Sequence, residues 1–120
     1  KLTDILKKLQ DLNLINSEYP IWDFYDLPAG TYPTQNESVR TAASANVLVA
    51  REDVPEETVY DLTKLIWENL AVLREIHGAT QSMSFERALQ GVTIPLHAGA
   101  LRFYKEQGLD IPDALSSELL

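Results

Sequence analysis

Cysteine is missing from this sequence. Disulfides, zinc–thiolate sites and cysteine nucleophiles are therefore excluded. Histidine is scarce, with only His77 and His97. They lack the HxxxH or HExxH spacing that seats zinc on a helix, so no metal is expected. Basic residues are outnumbered, 10 against 18 acidic ones, for a net charge of −8. That balance argues against nucleic acid, whose phosphates need clustered cations, and against an anionic membrane surface. No apolar run approaches the ~20 residues of a membrane span, so no direct membrane insertion is expected. The five glycines are scattered. They form neither a Walker loop nor GxGxxG, and no cofactor is expected. Ser38, Ser44, Ser82 and Ser84 stand outside any GxSxG elbow.

What is present suits a folded domain. The 120 residues are 45% hydrophobic, enough for one real core. The chain opens on Lys1, and its first ten residues carry a helical stripe of Leu2, Ile5, Leu6 and Leu9. It therefore reads as a piece of a longer protein, in which a missing signal peptide says nothing about export. Residues 12–19 read as a loop. Residues 21–27 have strand character, with Trp22 and Phe24 on a core face and Asp23 and Tyr25 on an amphipathic one. Residues 42–50 read as a strand covered on both faces, with Val47, Leu48 and Val49 at its heart.

Asp53-Val-Pro-Glu predicts a helix start, with Asp53 as cap and Glu56 at the capping-box position. The helix should run to about His77 and stop at Gly78. Val59, Leu62, Ile66, Leu70 and Leu73 form one stripe; Leu65, Val72 and Ile76 form a second. Two apolar sides predict packing between neighbours, as in a layered α/β domain. Ser84 should cap a short helix over 85–90. A last helix should span 96–107 and stop at Gly108, followed by a partly helical tail. Trp67, Phe103 and Tyr104 read as packing residues. Glu56 and Glu57 suit the helix dipole, as does His77 in the last turn of the long helix. His97 reads as a cap.

One segment has the makings of a site. Residues 31–38 are polar, and Tyr32, Gln35, Arg40, Thr41, Ser44 and Asn46 bring hydroxyl, amide and guanidinium groups to a loop-to-strand junction. A cleft for a polar ligand needs a few such groups, and Arg40 can grip a carboxylate with two hydrogen bonds. The plain alternative is a hydrated loop, which composition alone favours somewhat.

Three stretches, LPAGTYPTQNESVRT (27–41), REDVPEETVYDLTKLIWENL (51–70) and IPLHAGALRFYKEQGL (94–109), occur in an order that resembles the TAXI-type solute receptors of TRAP transporters. Two departures stand out. Ala98 replaces a usual Pro, and Pro33-Thr34 stands where the family tends to have Pro-Gly. The resemblance implies an α/β fold, the C-terminal part of a two-lobed clamp like the type II periplasmic binding proteins. Residues 1–40 would supply the end of the second lobe and a hinge segment. Residues 41–120 would supply a crossing strand and the closing helices of the first lobe. It implies a periplasmic or extracytoplasmic location. It also implies a small-molecule ligand (a carboxylate or an amino acid), TRAP membrane subunits as partners and no enzymatic chemistry. Tyr32, Gln35 and Thr41 would be ligand-binding residues. The rival readings are a ligand-sensing domain of a regulator, a small enzyme using His97 for acid–base chemistry, and a plain interaction module.

Overall fold

A computed structural model describes residues 12–19 and 21–116. The expected helix over the first ten residues lies outside them. The chain mixes helices with a small sheet, in keeping with the α/β class. It divides into two compact units at Val47–Leu48.

In the first unit, α1 (Leu12–Glu18) occupies the segment expected to be a loop. Asn residues favour loops because their side chains compete for local backbone groups. Here Asn16 does not compete with its own helix. Its amide reaches forward instead, donating to the C=O of Trp22 at 2.7 Å and accepting its N–H at 3.1 Å. β1 (Trp22–Leu27) and β2 (Val39–Ser44) then form an antiparallel hairpin. The register runs from Trp22 opposite Ser44 to Leu27 opposite Val39. Trp22 and Phe24 share one face and Asp23 and Tyr25 the other, as the alternation predicts. The exposures run against expectation: Trp22 and Phe24 are the outward residues, while Asp23, Tyr25 and Leu27 are half-buried.

The expected strand over 42–50 is corrected. β2 ends at Ser44, and Val47, Leu48 and Val49 are exposed coil, Leu48 by 74%. The reason is one of register. Ser44 pairs with Trp22, the first residue of β1, and just before it Ile21 donates back to Tyr19. No β1 backbone remains for residues 45–50 to pair with, and an apolar run without a ladder is not a strand.

The second unit is helical. α2 (Glu56–Glu68) starts with Pro55 at its N-cap and no side-chain cap. Asp53 does not cap it, because its carboxylate is bound by Arg51. The single long helix expected to reach His77 is interrupted at Asn69. The side-chain Nδ2 of Asn69 (2.8 Å) and its backbone N–H (3.1 Å) both donate to Leu65 C=O. Its φ of −111° departs from the helical value, and α3 (Leu70–Ile76) begins after it. Two 3-10 turns follow, Gly78–Ser82 and Phe85–Arg87, the second in place of the expected 85–90 helix. α4 (Ala98–Glu106) closes on Gly108, whose φ of 75° is easy only for glycine. α5 (Asp113–Ser116) ends the described chain. Through it the tail returns to the α4 entry, where Leu115 C=O accepts the N–H of Leu96.

The core lies between α2 and α4. Val59, Phe103 and Leu115 are its fully buried apolar residues, joined by Thr63, whose hydroxyl donates to Val59 C=O at 2.7 Å. Gly99 makes the crossing possible. A Cβ there would stand 2.2 Å from Glu56 C=O and 2.6 Å from Tyr60 N. Trp67, Phe85, Phe103 and Tyr104 stack edge-on or tilted, with ring centroids 5.3–6.5 Å apart. Trp67 Nε1 donates to Tyr104 Oη at 3.2 Å, and burial raises the Tyr104 phenol above its ordinary pKa.

The expected second stripe is corrected. Leu65, Val72 and Ile76 are all exposed, and Leu62 of the first stripe is too. Among the described residues of the second unit, α2 is packed by α4 and by the turn at Phe85, on the side of Val59, Thr63 and Trp67.

Candidate functional site

The polar residues singled out from the sequence lie on the hairpin and its loop. Two turns in series build that loop. In the first, Thr31 N–H donates to Pro28 C=O, and Gly30 takes the positive-φ position at 78°. In the second, Gln35 N–H donates to Tyr32 C=O, Pro33 follows Tyr32, and Thr34 sits at φ 71°. Both positive-φ positions are third in their turns, where a type II turn asks for glycine. Thr34 is β-branched and pays steric strain there. This gives physical content to the departure from Pro-Gly.

Gln35 holds the loop from within. Its Nε2 donates to Glu37 C=O at 2.9 Å, Pro28 C=O at 3.1 Å and, more weakly, Leu27 C=O at 3.4 Å. Its Oε1 accepts from Tyr32 N–H at 3.3 Å. Ser38 Oγ adds a donation to Leu27 C=O. The Gln35 amide is therefore committed to loop backbone. Tyr32 is 63% exposed beside it.

Along β2 the remaining groups separate. Thr41 is half-buried opposite Tyr25, and its hydroxyl makes only a long 3.4 Å donation to Ala42 C=O. Arg40 lies on the opposite face. It already has its carboxylate, for Nε and a terminal nitrogen bind Asp26 Oδ1 and Oδ2 at 2.8 and 2.9 Å. This hydrogen bond, with Arg40's charge, holds the Asp26 carboxyl below its ordinary value. Ser44 is five residues on from Val39, about 17 Å at normal strand rise, and exposed Asn46 lies beyond the strand. Tyr32 and Gln35 are thus at one end of the hairpin and Ser44 at the other. Asp26 went unnoticed as Arg40's partner. Its signal was present, since a hairpin closing near 28–38 sets the two directly across.

The other candidates turn out to be structural. His97 caps α4, its Nδ1 accepting from Gly99 N–H at 3.2 Å while Nε2 lies 3.0 Å from Val54 C=O. With Nδ1 accepting, Nε2 carries the proton and donates, so both ring nitrogens serve the backbone. His77 Nδ1 likewise accepts from Ala79 N–H, opening the next 3-10 turn rather than presenting a cation to the helix end. Glu56 and Glu57 do more than face a dipole. Arg102 on α4 binds both, at 2.7 and 2.8 Å, and lies 4.1 Å over the Tyr60 ring. A shallow cleft of about 270 Å3 between α2 and α4, lined by Tyr60, Lys64, Trp67, Phe85 and Phe103 among others, is the outer side of the aromatic cluster. Among the described residues no cluster of side chains could hold a metal, and no helix is long and apolar enough to cross a membrane.

These observations describe a polar, turn-built loop on the hairpin and an aromatic helix crossing in the second unit. The NMT1-like family matches residues 4–108, a span that takes in the hairpin, its loop and the α2–α4 crossing. The chain belongs to the NMT1-like family, whose members generally bind solutes outside the cytoplasm.

Proposed function

We propose that this chain is the C-terminal portion of a TAXI-type receptor that captures a small organic acid or amino acid and passes it to TRAP membrane subunits. The observation that carries the reading is the family match over residues 4–108, which takes in the first two receptor-like stretches and all but the last residue of the third. In this reading residues 1–40 finish the second lobe and provide the hinge. Residues 41–120 provide the crossing segment and the helices that complete the first lobe, and the lobes close on the solute. Tyr32, Gln35 and Thr41 face the cleft. Gln35 shapes the loop from inside, leaving the Tyr32 and Thr41 hydroxyls as the groups offered to a carboxylate. The receptor performs no chemistry, and the solute is recovered unchanged.

A thermal-shift screen of the full-length receptor against dicarboxylates and amino acids tests this. A ligand at about a hundred times its Kd stabilises the native state by about 2.7 kcal/mol. A matching solute should raise Tm, and Tyr32→Phe and Thr41→Val should each shrink the rise. A folded protein that shifts with no member of the screen would overturn the proposal.

A further inference from the structure

The turn over residues 32–35 carries a conflict inside a loop that is otherwise settled. Pro33 at its second position suits a type I and a type II turn alike. The third position decides between them. Type II asks there for a positive φ, which is easy for glycine. Type I closes the same hydrogen bond with that residue at about −90°, where threonine is at ease. Thr34 is nevertheless at 71°. A β-branched residue in the left-handed region is a strained one, and such strain gathers at clamps and switch segments.

The frame around this residue is fixed from one side chain. Gln35 is the only residue of 28–40 that is not exposed. Its backbone donates to Tyr32 C=O at 3.1 Å and accepts from Gly30 N–H at 2.8 Å. Its amide holds Tyr32 N–H, Pro28 C=O and Glu37 C=O. These bonds grip the chain on either side of the Pro33–Thr34 peptide and use neither Pro33 C=O nor Thr34 N–H. Rotating that one peptide turns type II into type I, and every bond just named can survive the rotation.

We propose that residues 32–35 form a two-state turn, in which the Pro33–Thr34 peptide flips between the observed type II form and a type I form that relieves Thr34. A glycine at the third position would settle the turn in type II. Threonine gives back what the left-handed conformation costs it, and this brings the two forms close in free energy. The flip has a chemical reading. Pro33 C=O and Thr34 N–H exchange sides of the loop. A carboxylate beside the loop gains from the form that turns the N–H towards it, and an ammonium gains from the form that turns the C=O. A charged ligand therefore binds the two forms unequally, which is what a population shift requires. In the receptor reading, on which this use of the flip rests though the flip itself does not, a solute carboxylate beside Tyr32 selects one form as it binds.

Relaxation-dispersion nuclear magnetic resonance of the full-length protein, without any ligand, tests the flip. The Thr34 and Gln35 amides should exchange on the microsecond-to-millisecond scale with a minor form at about 0.1–10%. The amides of the β1–β2 ladder should show no such exchange. Thr34→Gly should cut the minor form about tenfold, the equivalent of the left-handed cost to threonine. If that variant frays the loop, Thr34→Asn serves instead. Asparagine tolerates the left-handed region better than threonine, so the minor form should still fall. A Thr34 amide without exchange, exchange that neither substitution reduces, or exchange shared by the whole hairpin would each overturn the proposal. Exchange confined to the turn supports the flip whatever a solute screen returns, so the flip and the receptor reading fail separately.

Discussion

The hairpin and the α2–α4 pair are held together by opposite means. The hairpin loop is organised by polar side chains bonding to backbone: Gln35 to four partners, Ser38 to Leu27 and Asn16 to Trp22. Nearly all of it is exposed. The helix pair is organised by buried apolar contact around Val59, Gly99 and Phe103, with ion pairs only at its rim. The difference teaches where each region is vulnerable. Packing fails in proportion to the volume removed, whereas a polar loop fails at the one residue that ties it.

The contrast can be broken hardest on the packed side. Phe103 is 4% exposed and touches Tyr60, Phe85 and Tyr104. Phe103→Ala should cost about 3–5 kcal/mol, measured by urea denaturation followed by tryptophan fluorescence. On the polar side, Gln35→Ala removes every bond of one amide. Water reaches the freed groups, so the cost should be smaller, about 1–2 kcal/mol, with amide exchange accelerated over residues 28–38. A loss as large as that of Phe103→Ala would erase the distinction drawn between the regions. Thr34→Gly should act in the other direction. Relief of the left-handed strain is worth about 1 kcal/mol, partly offset by the greater freedom of unfolded glycine, so a modest rise in Tm is expected. A fall in Tm would mean that the Thr34 side chain contributes more than its backbone costs.

The smallest effect concerns charge. Asp26 has its pKa lowered from 3.8 by Arg40, so its ionised form favours the folded hairpin. Stability from this pair is present above the unfolded value and is lost as pH falls through the lower folded value. The pair is solvent-exposed and the effect should be slight. A nuclear magnetic resonance titration of the Asp26 carboxyl should place its midpoint below 3.8. Arg40→Gln should return it toward that value.

What the sequence disclosed was local. The cap at His97, the stop at Gly108 and the packing roles of Trp67, Phe103 and Tyr104 all follow from spacing and side-chain chemistry, whereas the alternation along β1 came out with its faces reversed, Trp22 and Phe24 outward. What it withheld depended on partners distant in the chain. The apolar run at Val47–Val49 has strand composition, but composition cannot say that β1 runs out at Trp22. Asp53 has the right place for a cap, yet Arg51 two residues away takes its carboxylate. Leu65, Val72 and Ile76 repeat at helical spacing, but periodicity marks a face without naming what lies against it. For the candidate site, polar residue types were legible. That Gln35 is consumed by its own loop, and Arg40 by Asp26, required the hairpin register.

The pairing of His97 with Gly99 has a consequence for reading related chains. The imidazole clips the entrance of α4 to Val54, and two residues later the absent side chain lets the helix lie directly on the carbonyl of Glu56. The two residues work as a hinge pin and its socket, setting how near the helices come. A Leu-His-x-Gly-Ala stretch of this kind reports on the spacing of a helix crossing, and its most recognisable letters need have no part in choosing a solute.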